Sequence, residues 1–242
     1  MKIAAILYGL IAYAVFLASF TYAVGFVGDL VVPKTIDSGP VEPLVPSLLI
    51  DTALLAIFAV QHSVMARPAF KAVWTRIVPP VIERSTYVLF SSLALALICR
   101  GWRPAPALVW DAGSGVLSTV ILGLFVAGWV IVLLSTFLIN HFDLFGLRQV
   151  WAYRRAGEEP PPEFRTPLFY RVVRHPLYLG FIIAFWAAPQ MSVGRLFFAV
   201  VTTAYILIAV QFEEHDLTQV FGDSYRDYKK RVSMLVPLPR RS

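Results

Sequence analysis

Ile3-Ala4-Ala5-Ile6-Leu7-Tyr8-Gly9-Leu10-Ile11-Ala12-Tyr13-Ala14-Val15-Phe16-Leu17-Ala18-Ser19-Phe20-Thr21-Tyr22-Ala23-Val24-Gly25-Phe26-Val27 places 25 residues without a charge at the start of the chain. With Lys2 in front, the stretch has the outline of a secretory signal. It is far longer than the roughly 7–15 apolar residues of a signal core. Tyr8, Tyr13 and Tyr22 suit the membrane–water interface. We read it as a retained transmembrane helix.

Working outward, apolar segments follow over 44–66, 86–98 and 115–139, then a pair over 177–188 and 193–212 parted by Pro189-Gln190. Those at 3–27, 44–66 and 115–139 reach the roughly 20 residues that cross the hydrocarbon core. The segment at 86–98 needs flanking residues such as Ser85 and Cys99 to do so. The last pair reads as a helical hairpin whose first arm is short. Of the 242 residues, 58% are hydrophobic and 15% charged, against about 25% charged in soluble domains. Lipid is therefore the solvent for much of this chain. One cysteine, Cys99, excludes an internal disulfide framework.

The expected fold is an all-α integral membrane protein with five to six transmembrane helices, including the C-terminal hairpin. It forms a single domain over 1–242. Helices one to four occupy 1–140, a cytoplasmic loop 141–176, the hairpin 177–212 and a cytoplasmic tail 213–242. With both termini inside, the inner side holds Lys2, four Lys or Arg within 67–84, six within 148–174 and six within 226–241. Those seventeen face four outside: Lys34, Arg100, Arg103 and Arg195. The positive-inside rule thus places both termini in the cytoplasm, for a multi-pass protein of a bacterial inner membrane. The net charge of +6 belongs to these loops and not to nucleic-acid binding.

This topology gathers His62, His141, His175 and His215 at the inner side, with Asp143, Glu213, Glu214 and Asp216. Ionisable groups at this depth are costly unless paired or solvated, so the cluster points to a site. No two of the four histidines lie three to five residues apart, which disfavours a histidine-rich metal centre; no metal is expected. Neither a phosphate-binding glycine loop nor a Gly-x-Ser-x-Gly elbow is present. The stretch Arg174-His175-Pro176-Leu177-Tyr178-Leu179-Gly180 suits an aromatic zwitterionic ligand. Arg174 and His175 can meet a carboxylate; Glu213 or Glu214 can accept from hydroxyls or an ammonium. Tyr178 and Tyr225 offer ring faces to a base or a cation. Pro176 suits a first helical turn, and Gly180 admits close approach of a backbone or ligand.

Arg-His-Pro-x-Tyr-x-Gly, a hairpin, an acidic pair and then Phe221-Gly222-Asp223-Ser224-Tyr225-Arg226-Asp227-Tyr228 resemble the C-terminal signature of membrane methyltransferases. That superfamily includes the isoprenylcysteine carboxyl and phospholipid methyltransferases. The spacing differs slightly here, since Glu214-His215-Asp216-Leu217 precedes Phe221-Gly222. Three further stretches resemble the nurim-type branch: Gln61-His62-Ser63-Val64-Met65-Ala66-Arg67-Pro68, Glu83-Arg84-Ser85-Thr86-Tyr87, and Asn140-His141-Phe142-Asp143-Leu144-Phe145-Gly146-Leu147-Arg148-Gln149.

The resemblance implies S-adenosylmethionine as methyl donor, S-adenosylhomocysteine as product, and Arg174, His175, Tyr178, Gly180, Glu213, Glu214 and Tyr225 as its binding residues. It implies methanethiol, a small thiol, as acceptor and dimethyl sulfide as product. Larger prenylcysteine or phospholipid acceptors, or a non-catalytic nurim-type role, stay open. A thiol needs a base to become a strong nucleophile. His141, with Asp143 two residues on, is the first candidate and His62 the second. Arg84 or Arg148 can stabilise a thiolate, and Tyr87 can line the acceptor pocket. Neither oligomeric state nor the identity of the base is legible.

Overall fold

The computed structural model describes residues 2–155 and 164–237. The linker-like stretch 154–163, with its three consecutive prolines, lies outside them apart from the end of one helix. In chain order the elements are α1 (Lys2–Gly28), α2 (Leu44–Ala66), α3 (Pro68–Trp74), α4 (Pro80–Gly101), β1 (Leu108–Asp111), α5 (Val116–Ile139), α6 (His141–Leu144), α7 (Leu147–Arg155), a 3-10 turn (Leu168–Arg171), α8 (Pro176–Trp186), β2 (Gln190–Ser192), α9 (Val193–Phe221) and α10 (Asp223–Arg231). Among the described residues five helices, α1, α2, α4, α5 and α9, are long and apolar enough to cross a membrane. The fold is an all-α multi-pass membrane protein, with β1 and β2 pairing as a minor two-stranded sheet.

Prolines set several boundaries. Pro68, Pro80 and Pro176 each occupy a first helical turn, where the missing N–H costs nothing. The residue before each is driven out of helical geometry, so α2 stops at Ala66 before Arg67-Pro68. The segment expected over 86–98 belongs to a helix running from Pro80 to Gly101, long enough to span. One boundary differs from expectation more sharply. The second arm of the hairpin does not stop at 212 but continues as helix to Phe221. Loss of apolar character marks where lipid ends, and Glu213 to Phe221 contains no helix breaker. The stop comes at Gly222, whose φ of +56° suits glycine. Glu213 and Glu214 therefore sit on a helix and not in a tail.

The chain divides into two compact units. The first holds Met1–Ala107, Asn140–Pro160 and Ser192–Arg195. In it α4 packs against α1 and α2, while α7 packs on α1. Gly9 admits the Val150 side chain, which a Cβ would approach within 2.9 Å. At one end Arg195 bonds Asp37 at 2.5 Å and lies 3.6 Å from Asp29, while the Arg103 amide donates to the buried Asp51 at 2.8 Å. Gly146, at φ +80°, makes the turn that seats α6 on the start of α4: a Cβ there would lie 2.7 Å from the Ser85 amide.

The second unit holds Leu108–Ile139, Pro161–Met191 and Leu196–Ser242. Its centre is the packing of α8 on α5. Gly128 and Gly180 bring the two backbones together, and a Cβ on either would lie 2.7 Å from the other's carbonyl oxygen. Small residues at a crossing are how helices associate where lipid removes the hydrophobic drive. Gly180, expected beside a ligand, thus has a packing role. Trp129 packs its edge against Phe181 and Phe185, and Trp110 donates to the Ala188 carbonyl at 3.1 Å. The outward faces of α1 and α5 expose Leu7, Leu10, Ile11, Leu117, Leu122 and Leu124, as lipid-facing helices do.

Two glycines of α5 test the packing. Gly128→Ala should destabilise the detergent-solubilised protein by about 1–3 kcal/mol, because the methyl group meets backbone that cannot yield. Gly123→Ala meets nothing within 4 Å and should be neutral or gain about 0.5–1 kcal/mol. Thermal unfolding of both variants is the measurement; equal shifts would contradict the close approach.

Candidate active site

The polar residues singled out from sequence fall into two clusters, one in each unit. In the second unit, Arg174 and His175 lie just before α8. Their segment pairs with the strand-like residues after α10: the Arg174 amide donates to the Ser233 carbonyl at 2.8 Å and the His175 amide to Met234 at 3.2 Å. Opposite them, Glu214 projects from α9. Arg174 Nε lies 2.6 Å from Glu214 Oε1, and His175 Nε2 lies 3.1 Å from the same oxygen. Arg174 also donates to the carbonyls of Val232 at 2.6 Å and Lys229 at 3.3 Å. All three side chains are buried. The carboxylate that meets Arg174 is thus the chain's own.

Around this triad stand the remaining residues. Tyr178 tilts against the His175 ring at 5.8 Å, and Glu213, about two-fifths exposed, holds its carboxylate 3.9 Å from His175 Nδ1. Tyr225 is buried on α10 and its hydroxyl has no hydrogen-bond partner among the described residues. Phe164 packs edgewise on Tyr225 and Tyr228. Burial, with Glu214 nearby, holds the Tyr225 phenol above its ordinary range and pushes Tyr228 up to about 12. Both phenols keep their protons at neutral pH. Tyr228 donates to the Tyr170 carbonyl at 2.5 Å.

In the first unit, Asn140 caps α6 by accepting from the Asp143 amide, and His141 opens the helix. The His141 ring is 6% exposed, with its Nε2 2.7 Å from the Tyr13 hydroxyl of α1. Phe145 packs edgewise on it at 4.8 Å and stacks on Phe16 at 4.0 Å. Burial holds His141 below the ordinary imidazole range, which favours the neutral ring. On α2, His62 stacks on Phe58 and lies 3.0 Å from the Tyr87 hydroxyl. Met65, Tyr87 and Val88 form a buried cluster with Phe16, Phe70, Trp74 and Phe145. His62 and His141 therefore flank one aromatic cluster, each paired with a tyrosine.

Beside that cluster lies a polar cleft of about 420 Å³, lined by Lys71, Pro80, Glu83, Arg84, Asp143 and Gln149. Arg84 donates to the Leu144 carbonyl at 3.0 Å and lies over the Tyr87 ring at 5.4 Å, joining cleft to aromatic wall. Asp143, expected to support His141, accepts from Gln149 at 2.7 Å. Burial lowers the Lys71 ammonium from its ordinary range, with Glu83 3.9 Å away opposing the shift. One oxygen each of Glu83 and Gln149 is buried without a partner among the described residues.

The structure thus unites His62, Tyr87 and Arg84, and His141 with Asp143 on one turn; Arg148 is half-buried on α7. It unites Arg174, His175, Tyr178, Glu213, Glu214 and Tyr225 separately. His215 joins neither cluster: it is exposed on α9, 2.8 Å from Gln219. Among the described residues no group of three or more His, Cys, Asp or Glu converges as metal ligands would. Tyr13 and Lys71 carry no sequence signal of a role. Tyr13 reads as an interfacial anchor, yet its hydroxyl meets the His141 ring.

Arg174→Ala would leave Glu214 buried without its cation and the Val232 carbonyl without its donor. A loss on the order of 3 kcal/mol is expected, seen as a lowered unfolding temperature and faster tryptic cleavage after Lys229 to Arg231. Replacing Arg174 and Glu214 together by methionine should recover part of it. Wild-type stability in Arg174→Ala would contradict the clamp.

Comparison with known proteins bears on what these clusters do. Methanethiol S-methyltransferase 1 of Bradyrhizobium diazoefficiens is 54% identical over 99% of this chain and 84% of its own length. The methanethiol S-methyltransferase of Mycobacterium tuberculosis is 53% identical over 98% of this chain and 97% of its own. Nurim of Rattus norvegicus is 32% identical over 72% of this chain and 69% of its own. No protein-family model and no solved structure matches the chain.

Proposed function

Since the chain belongs to the family of the methanethiol S-methyltransferases and nurim, we propose that it is a methyltransferase that converts methanethiol to dimethyl sulfide with S-adenosylmethionine as donor. The observation that carries this reading is the identity of 50–54% to relatives of that name over nearly the whole chain. The reading puts the reaction at the cytoplasmic side of a bacterial inner membrane, with both termini inside, on the strength of the division of basic residues. It treats 1–242 as one functional domain.

The donor is assigned to the cluster of the second unit. Two observations fit it: the buried Tyr225 hydroxyl lacks a partner among the described residues, and the Glu213 carboxylate stands partly open beside His175. Glu213 and His175 would take its polar groups, and Tyr178 and Tyr225 would face its base or its sulfonium. Arg174 and Glu214 hold these residues in place by their mutual pair. When bound, S-adenosylmethionine supplies an electrophilic methyl carbon on a sulfonium.

The acceptor is assigned to the aromatic cluster of the first unit. A free alkyl thiol is mostly protonated at neutral pH. The neutral His141 ring takes its proton in this reading, His62 being the other candidate, and Arg84 or Arg148 faces the thiolate. Tyr87 contributes wall. In-line displacement at carbon then needs alignment more than covalent help.

The test is purified protein in liposomes with S-adenosylmethionine and, in separate arms, methanethiol, a prenylcysteine and a phospholipid, with dimethyl sulfide measured in the headspace. Dimethyl sulfide from methanethiol, with the other arms blank, is expected. Methylation of the prenylcysteine or phospholipid alone would replace the acceptor, and no methylation in any arm would leave a non-catalytic member of the family. A C-terminal reporter fusion should signal from the cytoplasm.

A further inference from the structure

The base that the proposed reaction calls for is enclosed. His141 is 6% exposed, with Phe142, Phe145 and Tyr13 ringed about it. A thiol cannot come against a ring so covered without displacing its packing. The Tyr13 hydroxyl, 2.7 Å from His141 Nε2, belongs to a side chain only half-buried. The equivalent pair on the other side of the cluster differs. There Tyr87, 3.0 Å from His62, is itself 9% exposed and part of the packed core. Of the two tyrosine–histidine pairs, the one on α1 has the less buried tyrosine.

We infer that Tyr13 is a catalytic residue that relays the thiol proton to His141, an assignment that rests on the acceptor reading above. In the relay the S–H bond of the thiol breaks as its proton passes to the Tyr13 oxygen. The Tyr13 O–H bond breaks as that proton passes to His141 Nε2. One proton has moved from sulfur to nitrogen, leaving a thiolate and an imidazolium, and Tyr13 is unchanged. The electron pair left on sulfur forms the new bond to the methyl carbon, and the donor's carbon–sulfur bond breaks with its pair onto the departing sulfur. The imidazolium then returns its proton through the Tyr13 hydroxyl after the product has left. A 2.7 Å contact is within reach for such a transfer.

Phe16 and Phe145 pack against the Tyr13 ring, and its hydroxyl meets His141 Nε2. The elements packed against the pair carry, among other ionisable groups, Tyr8 of α1, Glu83, Arg84 and Tyr87 of α4, Asp143 of α6, Arg148 of α7 and His62 of α2. Tyr8 is bonded to Thr86 at 3.0 Å, and Asp143 to Gln149. Burial, not any of these charges, is what lowers His141.

The experiment is a pH–rate series on Tyr13→Phe, His141→Ala and the double variant in liposomes, with dimethyl sulfide as the readout and unfolding temperature checked for each. Phenylalanine keeps the ring packing and removes only the hydroxyl. A relay predicts a loss of about a hundredfold at neutral pH for Tyr13→Phe. The loss should narrow at alkaline pH, where thiolate forms unaided, and the double variant should be no slower than the slower single one. A wild-type rate in Tyr13→Phe, an equal loss at every pH, or additive losses in the double variant would overturn the relay while leaving the methyltransferase reading intact. Wild-type protein that yields no dimethyl sulfide would overturn that reading, and the relay with it.

Discussion

Hydrocarbon offers a backbone no hydrogen bonds and a charge no solvation, and every arrangement in this chain answers to that constraint. Helices satisfy their own amides along their length, which frees their outward faces to be as apolar as the lipid. What they cannot satisfy is pushed toward their ends. In the first unit Asp37 and Arg195 meet at one end, while His141, Asp143 and Arg84 gather at the other. In the second, Asp111 meets Gln190 near the short sheet, while Arg174 and Glu214 pair where α8 begins. Chemistry collects where the solvent changes because that is where ionisable groups can be afforded.

Burying a guanidinium is tolerable only when its donors find acceptors. Arg174 meets that condition with one carboxylate and two backbone carbonyls drawn from α9 and from the end of α10. The arrangement depends on the length of α9. Its 29 residues run about 43 Å as a helix, well beyond the roughly 30 Å of hydrocarbon. The overhang carries Glu213 and Glu214 on a rigid element, so their spacing from His175 does not rely on a loop.

The spans were legible because hydropathy over twenty residues is a coarse signal that local packing does not disturb. Leu44–Ala66 coincides with its segment, and Pro176 marks a real start. The end of α9 was not legible from hydropathy, since a helix can outlast its lipid. Which polar residues would gather was partly legible, as Arg174, His175 and Glu214 show. How they would pair was not. Arg174 and Glu214 stand forty positions apart, Tyr13 and His141 further still. Nothing in a residue's neighbours tells whether its charge is kept for a ligand or spent on another side chain. Tyr13 was hidden in the least informative stretch of all, an uncharged helix where a tyrosine looks like an anchor.

The contact of backbones at Gly128 and Gly180 has a meaning for traffic. Helices held apart by leucine side chains leave a crevice that an acyl or isoprenoid chain can part. Helices touching carbonyl to Cα leave none, so the seam between α5 and α8 is sealed against sideways entry from the bilayer. A lipid-tailed molecule would have to find another door. A molecule as small as an alkyl thiol or thioether needs no door of that kind, because it dissolves in hydrocarbon and diffuses through it.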